Sequence, residues 1–481
     1  MLRKTKLVTI AFTIVTFFSF SQEKIAVFRN SMKENGTDIK DVIPIVDTEN
    51  NEISLFIADA KNVYGYKLNE DYKVIDSLAS DRKRRKFKVL VGNSISGNNH
   101  TIFLSNPTKS KFLLMDFSFD TKTTTTKEFT LEQDDEQILQ TVSDNNKFYL
   151  LSIRPYWGIL CIYTFDNNEI KRNEVHLNNI PFLTEKGNKT NAVHLLRNYG
   201  VEVKKIDDEL PNSLELVGDK TKMYIRDNAI VFSFDQNSSV TQILSISLDD
   251  FKIGVRDFKK PMEEFKIHQK NSNSFIQGKH IFLFTSNKSK LALNILDYNT
   301  NTLVRSFNIV KDQPIDFKNS PIILEGGSFS TYRELKKTKQ FLRKINSGEV
   351  GIAVRKRGEN YQITLGGYKE VASGGAMMMG GFGGLPVASF GSVSVFFNPA
   401  VFAYNSSTNT KSTRIECLLD KNFNHKEGEI AENVFEKIRK NDQTVYDDVE
   451  KAQTVFKYKD FFILGRYYAK RKQYVFRKFT D

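Results

Sequence analysis

The sequence predicts an all-β fold, a ring of repeated antiparallel sheets, and three observations carry that expectation. The first is a recurring unit: an apolar run, a short polar gap, a second apolar run, then an Asp or Asn turn. It recurs as "ISLFIADAKNVYGYKLNEDYKVIDSL" from Ile53, "TIFLSNPTKSKFLLMDFSFDTKTTTTKEF" from Thr101, "KFYLLSIRPYWGILCIYTFDNNEIKRNEV" from Lys147, "AIVFSFDQNSSVTQILSISLDDFKI" from Ala229 and "HIFLFTSNKSKLALNILDYNTNTLVRSFNI" from His280. The second is spacing. The second run closes at Asn69, Asp120, Asp166, Asp249 and Asn299, at intervals of 51, 46, 83 and 50 residues, and a four-stranded repeat of this kind takes about 40 to 50 residues. The third is composition: 39 Phe and 18 Tyr suit pleated strands, Asn, Asp, Ser and Thr crowd the gaps, and there are only 10 Pro.

Taken in chain order, residues 1–21 come first. They carry Arg3, Lys4 and Lys6, then "LVTIAFTIVTFFSF", then Ser19 and Ser21 on either side of Phe20. That is the pattern of a secretory signal peptide. Cleavage after Ser21 leaves Gln22 first, with no Cys nearby to take a lipid. An uncleaved anchor is the competing reading, although the apolar run falls short of the ~20 residues that a spanning helix needs.

The repeats follow. The long 83-residue interval has room for a further, degenerate unit near Asp207 and Asp208. More units are expected at "VGIAVRKRGENYQITLGGY" from Val350, "STRIECLLDKNF" from Ser412 and "DFFILGRYYAKRKQYVFRKF" from Asp460. The expectation is therefore a β-propeller of seven blades, with six to eight compatible with the spacing. Neighbouring blades cover the faces that one sheet leaves open, and ring closure removes most free edges. No Pro/Ser-rich linker divides residues 22–481, which are expected to form one domain. Two β-sandwiches in tandem are the competing architecture.

Two short helices and one insertion interrupt the repeats. "TYRELKKTKQFLRKI" places Leu335, Phe341, Leu342 and Ile345 on one helical face, and "KEGEIAENVFEKIRKNDQTVYDDVEKAQTVF" does so with Ile430, Val434, Phe435 and Ile438. Residues 371–410 contain no Asp, Glu, Lys or Arg. Their glycines disfavour a spanning helix, and Met377, Met378, Met379, Phe382 and Phe390 give this loop an adaptable apolar surface for a partner. A tolerated low-complexity insertion is the plainer reading.

The formal charge is +13, and it falls to +10 once a leader with three basic residues is removed. Basic clusters sit at Arg82, Lys83, Arg84, Arg85, Lys86 and Lys88, at Lys336, Lys337, Lys339, Arg343 and Lys344, and at Lys470, Arg471 and Lys472. Each reads either as a solvated face or as an attraction for an envelope protein or an anionic surface polymer. An exported chain makes nucleic acid an unexpected partner. Trp157, the single tryptophan, stands beside Tyr156 and Arg154 and reads either as a packing aromatic or as a platform for a ring. Cys161 and Cys417 can pair only by closing a loop of 256 residues, and buried thiols are the simpler reading.

No catalytic set emerges. The six histidines show no paired spacing, "GNSISG" from Gly92 misses the nucleophile-elbow form, and the Gly-rich tract lacks the Lys and Ser/Thr of a phosphate loop. No metal site or cofactor is expected. Asp59, Asp116, Asp235 and Asp297 are the carboxylates that could approach a central channel, as a glycosidase would need, although turn duty explains most of them.

In its repeats the chain resembles the β-propeller superfamily over most of residues 40–481. It lacks the Gly-His and Trp-Asp marks of WD-repeat blades and the Asp-boxes of sialidases, so neither activity follows. Through the "SFSQ" leader end, the Lys/Asn/Phe-rich composition and the Gly/Met-rich insertion beside "YQITLGGYKEV", it is also similar to exported proteins of Bacteroidota. That resemblance implies a periplasmic, outer-membrane-associated or extracellular location. The expected function is a non-catalytic binding scaffold with residues 371–410 as an interaction arm. The alternative is a carbohydrate-active enzyme or lectin that uses the central channel.

Overall fold

The structure is a computed structural model, and it describes residues 23–33, 38–47, 50–80, 86–132, 135–166, 169–197, 203–326, 331–370, 400, 403, 410–442 and 450–481. Residues 1–21, the expected signal peptide, and most of the 371–410 insertion lie outside the described residues.

After β1 (Glu23–Arg29), the chain builds antiparallel sheets one after another. Sheet 1 is β2 (Ile39–Asp47), β3 (Glu52–Asp59), β4 (Val63–Leu68) and β5 (Val74–Ala79). Sheet 2 is β6 (Val89–Ser96), β7 (Asn99–Ser105), β8 (Lys111–Ser118) and β9 (Thr123–Thr130). Sheet 3 is β10 (Gln137–Asp144), β11 (Lys147–Arg154), β12 (Ile159–Asp166) and β13 (Glu169–His176). A small hairpin, β14 (Phe182–Leu183) and β15 (Lys189–Thr190), leads to α1 (Ala192–Leu196), β16 (Lys204–Ile206) and α2 (Leu214–Val217). Sheet 4 then adds β17 (Thr221–Arg226), β18 (Ala229–Phe234), β19 (Val240–Ser247) and β20 (Ile253–Lys259) to β16. Sheet 5 is β21 (Asn271–Gln277), β22 (His280–Ser286), β23 (Lys290–Asp297) and β24 (Leu303–Val310).

Sheet 6 is assembled out of sequence order. Its members are β25 (Ile322–Gly326), β26 (Thr331–Leu335), β27 (Glu349–Arg357), β28 (Asn360–Glu370) and β29 (Thr410–Leu419), in the spatial order β26-β25-β29-β28-β27. α3 (Thr338–Ile345) precedes β27, and α4 (Val434–Asp442) follows β29. Sheet 7 contains β30 (Glu450–Tyr458), β31 (Phe461–Tyr468) and β32 (Gln473–Phe479), with β1 paired to β32. Glu23 lies opposite Lys478 and Arg29 opposite Gln473. The two ends of the chain thus share one sheet, a closure that tandem sandwiches do not make.

Apolar clusters run from sheet to sheet. One joins sheet 7 to sheet 1 through Phe476 and Ile53, the next joins sheets 1 and 2 through Phe56 and Ile102, and a third joins sheets 2 and 3 through Phe103 and Leu150. A fourth links sheets 3 and 4 through Leu151 and Phe232, and the largest runs through sheets 4 to 7. First strands of adjacent sheets run in the same direction: Thr141 donates to the Val91 carbonyl at 2.7 Å, and the Asn93 N–H donates to Ser143 Oγ at 3.0 Å. Each first strand of a four-stranded sheet pairs on one side only, which is why Pro44 is tolerated inside β2.

Three sequence expectations change. The units at Val350 and Ser412 are the same sheet, split by the insertion. Among the described residues the long interval holds no further four-stranded sheet, but the β14–β15 hairpin, α1, β16 and α2. "TYRELKKTKQFLRKI" is not one helix: Thr331–Leu335 is strand β26, and only Thr338–Ile345 is helical, with Phe341, Leu342 and Ile345 buried.

Candidate functional site

The axis toward which the first strands face is filled by the chain itself. β16 adds to the inner edge of sheet 4 in parallel register, Lys204 opposite Lys222 and Ile206 opposite Tyr224. Its neighbours tie it to other first strands. Gln140 of β10 donates to the Val203 carbonyl at 2.9 Å, Asp208 accepts from Gln277 and from the Gly278 N–H at 3.0 Å, and Glu209 pairs with Lys457 of β30. α2 packs on β27 and β28, with Leu214 against Gly351 and Gly366. Residues 203–218 therefore touch the inner strands of five sheets.

The four carboxylates considered for a channel are in four different sheets and do not converge. Asp59 accepts the Lys61 and Asn62 N–H groups of its turn and pairs with Lys33 at 2.9 Å. Asp297 holds the turn to Asn299 and Thr300, and Asp116 bonds Thr101 and Thr125 across its sheet. Asp235 is wholly buried between two lysines, 2.7 Å from Lys222 and 2.9 Å from Lys260, and all three side chains are 0% exposed. It also accepts from Thr241 Oγ1 at 2.7 Å and from the N–H and hydroxyl of Ser274.

This cluster holds two ammonium groups for one carboxylate. Burial acts to raise the Asp235 carboxyl, but the charges of Lys222 and Lys260 hold it well below the usual carboxylate range. Burial pushes Lys260 down to about 8 and also lowers Lys222. Neutral acceptors take the remaining protons: the carbonyls of Asp219 and Asn237, Ser272 Oγ and Asn273 Oδ1.

Directly above it opens a cleft of about 1360 Å³, between sheets 4, 5 and 6. Its wall is made by the turn at Glu185 and Lys186, the start of β17 at Asp219 and Lys220, the turn after β18, the short helical turn Ile267–Gln269 before β21, and the facing ends of β27 and β28. Glu349 pairs in register with Tyr368 there, and Lys220 reaches Glu349 at 3.6 Å. In an antiparallel sheet the turn between strands two and three lies at the end where strand one begins. The 371–409 segment joins β28 to β29, so it departs from the same face, next to Lys369 of the cleft.

Trp157 belongs to the corresponding turn of sheet 3. It is 58% exposed and Tyr156 80%, so both rings stand largely at the surface. The Arg154 guanidinium lies 5.3 Å from the Trp157 ring and Arg197 5.5 Å from that of Tyr156. Gly158, at φ +63°, lets the turn close, and Asn178 Nδ2 donates to the Trp157 carbonyl at 2.6 Å.

Other sequence candidates do not join this site. Met377, Met378, Met379, Phe382, Phe390, Arg84 and Arg85 lie outside the described residues. Cys161 and Cys417 are free and buried in separate clusters, and burial pushes Cys161 up to about 12. Among the described residues no group of three His, Cys, Asp or Glu can hold a metal, and no helix is long and apolar enough to cross a membrane. Lys222 and Lys260 were missed in the sequence because nothing in their spacing links them to Asp235.

No protein-family model matches the chain, and no curated protein does. Among solved structures, the WD40 domain of SCAP from fission yeast is 9% identical, covering 95% of this chain and 89% of that one, with a TM-score of 0.32. Kluyveromyces lactis Hsv2 is 11% identical over 69% of this chain and 73% of its own, at a TM-score of 0.29. A variant of Synechocystis apocarotenoid oxygenase is 8% identical, at a TM-score of 0.29; this chain spans 63% of its length and matches over 57% of its own. At these scores no residue or activity is carried over from them.

Proposed function

We propose that the protein is an exported, non-catalytic propeller whose seven sheets are its blades, and that it serves as a binding scaffold. Its working surface is the face where the cleft opens, and its partner is an envelope protein or an anionic surface polymer. The observation that carries this reading is the convergence on one face of an open charged cleft, the departure points of the 371–409 segment and the exposed Tyr156–Trp157 turn. Residues 203–218 occupy the axis, and the rim supplies an accessible concave surface of about 1360 Å³. Export places that rim in contact with envelope components, and a mature chain starting at Gln22 keeps β1 whole. Residues 371–410 act as an arm beside the cleft, with Met377, Met378, Met379, Phe382 and Phe390 as its apolar contacts.

The test is in-cell crosslinking of the full mature chain and of a version lacking residues 374–399. Reproducible capture of a partner by the first and its loss in the second supports the arm. Capture retained by the deleted version removes the arm from the mechanism, and a folded protein confined to the cytoplasm removes the export assignment.

A further inference from the structure

The cleft above the Lys222–Asp235–Lys260 cluster has the chemistry of an anion site, and its lining narrows the ligand further. Lys186, Lys266 and Lys369 face it without a carboxylate partner among the described residues, while Lys220 is shared between Glu349 and the Ser272 carbonyl. Counting the two buried lysines of the floor, seven lysines meet four carboxylates, Glu185, Asp219, Asp235 and Glu349. The floor matters more than the rim for the field. Surface ammonium groups are screened within a Debye length of about 8 Å at physiological salt. The unmatched charge of the floor is fully buried, poorly screened and fixed by five donors to Asp235, so it focuses a positive potential into the open cleft.

The remaining lining is polar: Ser347, Gln236, Asn271 and the His268 imidazole, with Ser238 and Ser272 buried beneath it and Ile267 and Tyr368 the apolar members. A peptide partner is held by apolar anchors in dry pockets, which this surface does not offer. The volume of about 1360 Å³ also exceeds the ~300 to 1,000 Å³ of ordinary small-molecule sites. It suits a stretch of a hydrophilic polymer.

We propose that this cleft binds an acidic polysaccharide, the lysines taking its carboxylate or sulfate groups and the Ser, Asn and Gln side chains its hydroxyls. This rests on the scaffold reading and gives its partner a chemical class. Titration calorimetry of the full mature chain with alginate, heparin, dextran and poly-glutamate tests it, in parallel with Lys186→Ala/Lys266→Ala/Lys369→Ala, whose fold is checked by circular dichroism. The expected result is binding of alginate or heparin that weakens at least tenfold in the triple variant and with added salt, and no binding of dextran. Poly-glutamate bound as tightly as both glycans overturns the polysaccharide assignment in favour of an acidic peptide. Unchanged glycan affinity in the folded triple variant overturns the cleft as the site. If no polyanion binds while crosslinking still captures a partner, the ligand class falls and the scaffold reading stands; if crosslinking is empty as well, both fall.

Discussion

Asp235→Asn is the perturbation that most directly tests how the cleft floor is held. The carboxylate accepts from Lys222, Lys260, Thr241 and both donors of Ser274. Asn keeps one acceptor and turns an NH₂ toward groups that are themselves donors, leaving two buried ammonium groups without a countercharge. Removing one member of a buried ion pair costs about 3 to 5 kcal/mol. The escape route is for a lysine to lose its proton, and at pH 7 that costs about 5 kcal/mol from an unfolded-state value near 10.4, which caps the penalty per lysine. At pH 9.5 the same neutralisation costs only about 1 kcal/mol per lysine. Burial already places Lys260 at about 8 in the native protein, so the folded chain carries the cost of its charge at and below that pH. The cost is relieved as pH rises from about 8 toward 10.5. The variant is therefore expected to lose about 4 kcal/mol at pH 7, read from the shift in urea midpoint, and less than about 2 kcal/mol at pH 9.5. A loss below about 1 kcal/mol at pH 7, or one that does not change with pH, refutes the reasoning.

Three further outcomes follow from single residues. Gly92→Ala places a Cβ 2.3 Å from Phe148 Cε2, and overpacking of this kind is expected to cost about 1 to 3 kcal/mol in thermal unfolding; an unchanged Tm contradicts the contact. Burial raises Asp207 to about 6, so its charge costs stability above that pH and none below the ordinary carboxylate range. Asp207→Asn should stabilise the half-buried position by about 1 kcal/mol at pH 7.5 and leave stability at pH 4 unchanged, and a stabilisation equal at both pH values rules the cause out. Burial raises the thiols of Cys161 and Cys417, so iodoacetamide should add no mass to the native protein and two adducts after denaturation. A disulfide-linked peptide in the non-reduced digest contradicts this.

Much of the ring was legible, and the missing parts have one physical cause. Of the five turn residues found in the sequence, Asn69, Asp120, Asp249 and Asn299 lie between the third and fourth strands of their sheets and Asp166 ends the third strand of its own, where the chain reverses at the surface and local hydrogen bonding dictates the residue type. First strands such as β21 were not seen, because they carry polar side chains in buried positions. β21 reads Asn-Ser-Asn-Ser-Phe-Ile-Gln, yet Ser272, Asn273 and Ser274 are buried and satisfied by Lys260, Lys222 and Asp235 of the neighbouring sheet. Such satisfaction is a property of two sheets together, so no periodicity within one strand reports it. The axial segment misled in the opposite sense: Val203, Ile206, Leu210, Leu214, Leu216 and Val217 are as apolar as a blade because the segment is buried on all sides.

That segment also connects the interior to the rim. It rises along the axis as α2 and ends at Gly218, where a Cβ would lie 2.4 Å from the Tyr368 ring and whose carbonyl accepts from Asn273 at 3.0 Å. The next two residues, Asp219 and Lys220, are cleft wall, and the Asp219 carbonyl accepts from Lys222 of the floor. One stretch of chain thus fills the axis, sets the edge of β28 from which the 371–409 segment departs, and orients the buried lysines. A ligand that neutralises the floor charge stabilises this arrangement in proportion to its differential affinity for the folded state. Binding of the proposed ligand at the rim would therefore be energetically linked, through Gly218 to Lys222, to the integrity of residues 203–218.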